Sequence, residues 1–274
     1  MDKSLLVELI VSKLIKDFAV LKGYWNEPQG TSTKHFFVDN LLPDDIAFEI
    51  YNAFPKDALG FYNRESFREK KKTSADLSEY KKILSDITYA IQDEKVVNLI
   101  AKITGFTSIE PDPKLYAGGL SMMFAGDYLN PHIDNSHDAD RERYRRLNIL
   151  FYVSPDWKAE NGGNFELWDD LRLTPKTIIS KFNRMVVMET NKSSWHSVSA
   201  VVVDNPRCCV SNYYFSSISP EDSDYYHVTS FLGRPHQKIR SSLGRLDNIL
   251  RNIIATTFNI TRGKNLTNKN IDEK

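Results

Sequence analysis

The sequence predicts an α+β chain, mainly β, laid out as a sandwich or jelly roll with helices packed outside. Three observations predict it: a three- and four-residue apolar rhythm near the start, a long middle stretch of short β-rich runs separated by turn residues, and a return to the helical rhythm after Pro235. With 274 residues, 41% of them hydrophobic and 12% aromatic, the chain can bury a sizeable core and is too apolar for a disordered protein.

Leu6, Leu9, Ile10, Leu14, Phe18 and Leu21 recur at helical intervals, so residues 4–21 read as an amphipathic helix with Ser4 as its cap. His35-Phe36-Phe37-Val38 is a short strand, and Pro43-Asp44-Asp45 opens a second helix through Ala53. The basic run Arg68 to Lys72 reads as a solvated loop or helix face, because charge runs are usually exposed. Asp93 to Gly105 is helical and stops at its glycine. From Tyr116 the texture changes. Leu120–Phe124, Leu147–Val153, Asn164–Trp168, Thr177–Ile179, Met185–Glu189, Ser194–Val203 and Cys208–Phe215 are β-rich, and Gly118-Gly119, Asn161-Gly162-Gly163, Asp169-Asp170 and Asn205-Pro206 punctuate them. After Pro235, Leu243, Leu246, Ile249, Leu250, Ile253 and Ile254 share one helix face, and a polar tail from Thr261 is expected to fray.

Charge removes several function classes. The 36 Lys and Arg balance the 36 Asp and Glu, so nucleic acid and anionic membranes, which select for basic excess, are not expected partners. Leu5 to Leu21 is interrupted by Glu8, Lys13, Lys16 and Asp17, too charged for a signal-peptide core or a membrane span. The two cysteines, Cys208 and Cys209, are adjacent and make no disulfide framework; two small buried side chains on a strand are the simpler reading, and a cytoplasmic location is expected.

The chemistry centres on Asn130-Pro131-His132-Ile133-Asp134-Asn135. Residues two apart on extended chain point to one side, so His132 and Asp134 can present an imidazole and a carboxylate to one point. Alone the pair is equally a surface His beside an Asp. His196, on the β-rich run Ser194-Trp195-His196-Ser197-Val198, adds a second imidazole after several intervening strands. Two imidazoles and one carboxylate make the facial triad of non-haem Fe(II) oxygenases, with coordination positions left open. Arg207 begins a strand that would return beside His196, and Ser211 lies on the same side of it; together they suit the far carboxylate of a dicarboxylic co-substrate such as 2-oxoglutarate.

These residues sit in an ordered set. It comprises Pro111-Asp112-Pro113, Gly118-Gly119-Leu120, Gly126 to Asp134, Arg145-Arg146-Leu147-Asn148-Ile149-Leu150-Phe151-Tyr152, Gly162 to Trp168, Phe182-Asn183-Arg184, Trp195-His196 and Arg207. From about residue 34 to 235 the chain resembles the prolyl 4-hydroxylase-like group of Fe(II)/2-oxoglutarate dioxygenases. The resemblance implies a double-stranded β-helix, a cupin-like jelly roll, over about residues 115–217. It also implies a division into residues 1–33 as an N-terminal helical extension, 34–235 as the dioxygenase domain, and 236–274 as a C-terminal helix and polar tail. It implies Fe(II) on His132, Asp134 and His196, 2-oxoglutarate paired to Arg207 with help from Tyr128 and Asn148, O2 as the oxidant, and ascorbate as a candidate reductant. In this group the co-substrate is split to succinate and carbon dioxide and a C–H bond is hydroxylated. The chain departs from many prolyl hydroxylases in having Phe124 where they carry Tyr eight positions before the first His, and Arg207 where several have Lys. Asp134 is kept, which fits a hydroxylase rather than a halogenase.

Arg146, sharing the parity of Asn148 on the strand Leu147–Val153, is a candidate for a substrate carboxylate, and His137 for substrate contact on a polar loop, residues 134–145, read as a lid. His35, His227 and His236 read as packing or capping residues, and Trp157 and Trp168 as core. The expected substrate is a small polar metabolite, amino acid-like or sugar-linked, or a peptidyl side chain such as proline, and the terminal helices could support an oligomer. Two alternatives stand beside this: a catalytically silent jelly-roll binding protein without iron, and a cupin-like metalloenzyme that needs no 2-oxoglutarate.

Overall fold

The computed structural model describes residues 2–170, 173–221, 223–235, 237–257 and 267. In chain order the elements are α1 (Lys3–Asn26), β1 (His35–Asp39), α2 (Asp44–Ala53), β2 (Tyr62–Glu65), β3 (Glu69–Ser74), α3 (Lys82–Ile91), α4 (Glu94–Thr104), β4 (Glu110–Pro111), β5 (Gly119–Met123), β6 (Tyr128–Ile133), β7 (Tyr144–Tyr152), β8 (Phe165–Trp168), β9 (Lys176–Ile178), β10 (Arg184–Glu189), β11 (Trp195–Val198), β12 (Arg207–Ser216), β13 (Ser230–Phe231) and α5 (Lys238–Thr257). His236 and the tail expected from Thr261, residue 267 apart, lie outside the described residues, as do the side chains of Leu243 and Leu246.

The strands pair antiparallel in the order β1-β10-β7-β12-β5-β3-β6-β11-β8-β9, with β2 on β3, β4 on β12 and β13 on β6. The sheet curls so that its two halves face each other: Tyr152, Val186, Met188 and Cys209 meet Phe165, Leu167 and Ile178 in one buried cluster. This is the expected jelly roll. The alternate residues Leu147, Ile149, Phe151, Met185, Val187, Cys208 and Val210 point the other way and share a core with α1, α3 and α4. Burial on both faces explains why β7 and β12 carry apolar side chains at both parities rather than alternating them with polar ones. Cys208 and Cys209 thus point to opposite layers, and burial pushes their thiols up to about 12 and about 11, which keeps them protonated.

α1 is longer than its apolar rhythm predicts and is capped by Asp2, whose carboxylate accepts from the Leu5 N–H at 3.0 Å, not by Ser4. α4 is capped by Asp93 and ends at Gly105 in the left-handed conformation, as its sequence suggests. The run Arg68 to Lys72 is not a loop or helix: most of it lies in β3, whose hairpin with β2 closes against β5 and β6. The run of consecutive charges hid the strand, because its Lys side chains find Glu69 and Asp127 rather than water alone. Four of the six residues expected on the apolar face of α5, Ile249, Leu250, Ile253 and Ile254, are exposed. No helix among the described residues is long and apolar enough to cross a membrane.

Candidate metal centre

His132 lies near the end of β6 and Asp134 just beyond it; His196 on β11 stands directly opposite His132 in register, with ring centroids 4.0 Å apart. Each imidazole is locked in the same way. The Nδ1 of His132 lies 3.0 Å from the Asn130 carbonyl, and that of His196 lies 2.9 Å from the Ser194 carbonyl. A carbonyl only accepts, so each Nδ1 carries the proton and each Nε2 keeps a free lone pair. Those Nε2 atoms converge on Asp134, 3.6 Å from Oδ1 for His132 and 3.6 Å from Oδ2 for His196.

All three side chains are buried, and their ligand atoms lie within 4.8 Å of one another. Burial, reinforced by the neighbouring His132, pushes the His196 imidazole down to about 3, so it is neutral and able to ligate. Burial alone would raise the Asp134 carboxyl, but the Arg145 guanidinium, 3.7 Å from Oδ1, helps hold it well below the usual carboxylate range. Asp134 Oδ2 is buried without a hydrogen-bond partner. An ionised oxygen in that state is strongly unfavourable unless a cation completes it. Two imidazole nitrogens and one carboxylate oxygen are the donor set that suits Fe(II) with open positions, so these residues fit that metal.

The ligands are braced from behind. Ser197, next to His196, donates to Glu166 Oε2 and accepts from the Trp168 indole at 2.8 Å, while Arg234 Nη2 donates to the same Glu166 oxygen at 2.8 Å. Phe231 on β13 stacks on the His132 ring at 5.1 Å.

The triad opens into a cavity of about 810 Å³ whose lining includes Ser121, Met123, Asn148, Leu150, Arg207 and Ser211. Arg207 is 3% exposed. Its Nε donates to Ser180 Oγ at 3.1 Å, its guanidinium carbon lies 4.6 Å from the centre of the Tyr152 ring, and no carboxylate among the described residues pairs with it. A buried guanidinium lacking an internal counter-charge fits an incoming carboxylate. Gly163 makes room for it. A Cβ there would lie 2.8 Å from Arg207 Cδ, and its φ of +61° suits glycine. Gly163→Ala is expected to cost about 1–3 kcal/mol of stability and to weaken binding of 2-oxoglutarate, measured by thermal melting with and without that compound.

Ser211 lines the cavity on the side of β12 that carries Arg207, as its parity predicts, and Asn148 lines it from β7. Two other expected residues do not reach the cavity, and one kind of irregularity accounts for both. In β6, His132 pairs with His196 but Leu129 pairs with Val198, so an extra residue is inserted around Asn130 and Pro131. Beyond that bulge Leu129 faces the cavity and Tyr128 faces away, its hydroxyl donating to the Ser66 carbonyl at 3.2 Å. In β7 the register slips at the other end: Leu147 pairs with Tyr214 and Arg145 with Phe215. Arg146 is therefore turned out against the Phe106 ring, and the unpredicted Arg145 is turned in. Arg145 is 2% exposed, stacks on Tyr213 at 3.9 Å and lies 3.7 Å from Asp134 Oδ1, with Nε and Nη2 unpartnered.

His137 is also outside the cavity, buried between Ser136, at 2.8 Å from its Nδ1, and the ring of Tyr144 at 4.4 Å. Residues 134–139 are buried, and the loop is tied by Ser136 N–H to the His227 carbonyl and by Arg143 Nε to Asp138 at 2.8 Å. This is a packed loop and not the expected lid. The β2–β3 hairpin borders the cavity instead, contributing Arg64, Glu69 and Lys71. His227 packs on Tyr225, and Trp157 and Trp168 are buried, as expected.

Residues 118–215 match the family model described as 2OG-Fe(II) oxygenase superfamily. Prolyl 3-hydroxylase OGFOD1 of Mus musculus is 29% identical over 96 residues, 33% of this chain; the match spans only 17% of that relative. Among solved structures, a prolyl hydroxylase from Trichoplax adhaerens, in complex with a hypoxia inducible factor oxygen degradation domain peptide fragment, is similar with a TM-score of 0.54 at 15% identity, covering 74% of this chain and 92% of that one. A prolyl 4-hydroxylase from Phytophthora capsici is similar with a TM-score of 0.55 at 15% identity, covering 91% of this chain and 77% of that one.

Proposed function

We propose that the protein, whose residues 118–215 match the 2OG-Fe(II) oxygenase superfamily, is a 2-oxoglutarate-dependent dioxygenase that hydroxylates an unactivated C–H bond of a peptidyl side chain, with proline the first candidate. The carrying observation is that the buried His132–Asp134–His196 cluster and the unpaired guanidinium of Arg207 line one cavity. His132, Asp134 and His196 hold Fe(II); Arg207, with Ser211 beside it, holds the distal carboxylate of 2-oxoglutarate. Bound together with O2, these groups supply the oxidising power that places one oxygen atom in a C–H bond while the co-substrate leaves as succinate and carbon dioxide.

The chain's own residues orient that event. Arg207 fixes one end of the co-substrate, and Met123, Leu150 and Phe165 add apolar surface to the cavity that Arg207 and the triad line. From β7, Arg145 and Asn148 both line the cavity, each with buried polar atoms that lack a hydrogen-bond partner: Nε and Nη2 of Arg145 and Oδ1 of Asn148. The peptidyl reading is supported by the proteins the chain is similar to, a prolyl 3-hydroxylase and a prolyl hydroxylase in complex with a peptide fragment.

Succinate release, measured with Fe(II), 2-oxoglutarate and ascorbate over panels of proline-containing peptides, free amino acids and sugar nucleotides, is the test. Peptide-dependent succinate with one hydroxyl gained per turnover is expected. Stimulation by a free metabolite alone would overturn the peptidyl reading, and no 2-oxoglutarate turnover in iron-loaded protein would overturn the enzyme.

A further inference from the structure

Among its described side chains, α5 meets the rest of the protein through a polar stripe, Asp247, Asn248, Arg251 and Asn252, while Ile249, Leu250, Ile253 and Ile254 are exposed. Residues spaced by one, four and five positions share a helix face, so this stripe is a single contact surface. It touches two separate walls of the cavity. On one side Arg68, at the turn of the β2–β3 hairpin, donates to both carboxylate oxygens of Asp247, at 3.2 Å from Nε and 2.5 Å from Nη2. On the other side Asn248 takes both backbone groups of Phe231: its Oδ1 accepts from the N–H at 2.9 Å and its Nδ2 donates to the carbonyl at 2.8 Å. Asn252 Oδ1 accepts from the Val228 N–H at 3.0 Å, and Arg251 Nη1 donates to the Thr229 carbonyl at 3.2 Å. The helix backbone lies so close to this segment that a Cβ at Gly244 would sit 2.7 Å from the Phe231 oxygen.

Both walls carry chemistry of the site. The hairpin contributes Arg64, Glu69 and Lys71 to the cavity lining, and Phe231 stacks on the ring of His132. β3 is also held by pairing with β5 and β6, and the turn by the Asn130 N–H on the Arg68 carbonyl, the Asn130 side chain on the Phe67 carbonyl and the Tyr128 hydroxyl on the Ser66 carbonyl, so Asp247 adds to the turn a contact that comes from α5.

We propose that α5 is a clasp that sets the distance between the β2–β3 hairpin and the β13 segment, and thereby the width of the cavity mouth, with Asp247 and Asn248 as positioning residues for substrate. The proposal rests on the cavity being the substrate site as described above. A planar guanidinium gripped at two points fixes orientation as well as distance, which a single contact would not.

Hydrogen exchange of the full-length protein, anaerobic with Fe(II) and 2-oxoglutarate, tests it with Asp247→Ala, Arg68→Ala and the double variant. Exchange of amides in residues 62–68, β2 and the turn, is expected to rise roughly tenfold in each single variant and no further in the double variant, because the two residues act as one unit. Amides of β10 are expected to stay protected, and the Fe(II)–2-oxoglutarate absorption band of Asp247→Ala to stay in place. With a peptide that stimulates succinate release, Asp247→Ala raises KM and leaves kcat within about twofold, the signature of lost ground-state positioning. Asn248→Asp, which keeps the acceptor and loses the donor, is expected to raise exchange at residues 228–231 only. Unchanged hairpin exchange in the single variants, or effects that multiply in the double variant, would overturn the clasp. Loss of the absorption band in the unaltered protein would instead count against the oxygenase reading, leaving the exchange result to stand by itself.

Discussion

His196→Ala protein mixed anaerobically with Fe(II) and 2-oxoglutarate is expected to show no visible charge-transfer band, where the unaltered protein shows a weak one. The expectation follows from geometry. His196 contributes one of only three donors, its Nε2 stands 3.6 Å from Asp134 Oδ2, and its tautomer is already set by the Ser194 carbonyl. Removing it leaves an imidazole and a carboxylate, a pair too poor to hold the ion against water. Turnover of 2-oxoglutarate should fall on the order of a thousandfold or more, since no protein group substitutes for the metal's chemistry. The fold should survive, because β11 remains held by Ser197, Glu166 and Arg234 and by pairing with β6 and β8. A full-strength band in folded His196→Ala protein would remove His196 from the metal.

Arg207→Ala has the second large effect expected. Truncating one partner of a buried charge pair typically costs 2–5 kcal/mol, so KM for 2-oxoglutarate should rise by about thirty- to several thousandfold. Arg207→Lys keeps the charge but loses the planar fork, and should fall between the two. It also guards the test, because deletion of a side chain stacked on Tyr152 and bonded to Ser180 leaves a void that could unfold the barrel. Turnover indifferent to both changes would favour a metalloenzyme that needs no 2-oxoglutarate.

Much of this centre was legible in sequence because its informative residues obey simple periodicity. His132 and Asp134 lie two apart on extended chain, and Arg207 and Ser211 lie on one side of β12. The misses have a common physical origin. Tyr128 is expected at the co-substrate from the family resemblance and Arg146 in the cavity from its parity with Asn148, and both expectations hold only while a strand is regular. The insertion around Asn130-Pro131 in β6 and the slip at Arg145-Arg146 in β7 each invert the parity, substituting Leu129 for Tyr128 and Arg145 for Arg146. Pro131 was a visible sign of the first, since proline inside a strand marks a bulge or an edge; the second had no sign beyond two adjacent arginines. The β2–β3 hairpin was hidden by its charges, and the polar stripe of α5 by the apolar residues interleaved with it, because each makes its contacts through polar groups that composition assigns to solvent.

The inner face of α1, from Leu6 to Trp25, is buried in the same cluster as the helix-facing residues of β7, β10 and β12. The recognisable segment, residues 118–215, therefore has one whole side of its barrel lined for contact with chain that precedes it. Each large apolar side chain stripped of that cover would forfeit about 1.5–3 kcal/mol. A fragment cut at the borders of sequence similarity is thus expected to come out of cells as insoluble material, and the smallest piece worth expressing begins upstream of Leu6.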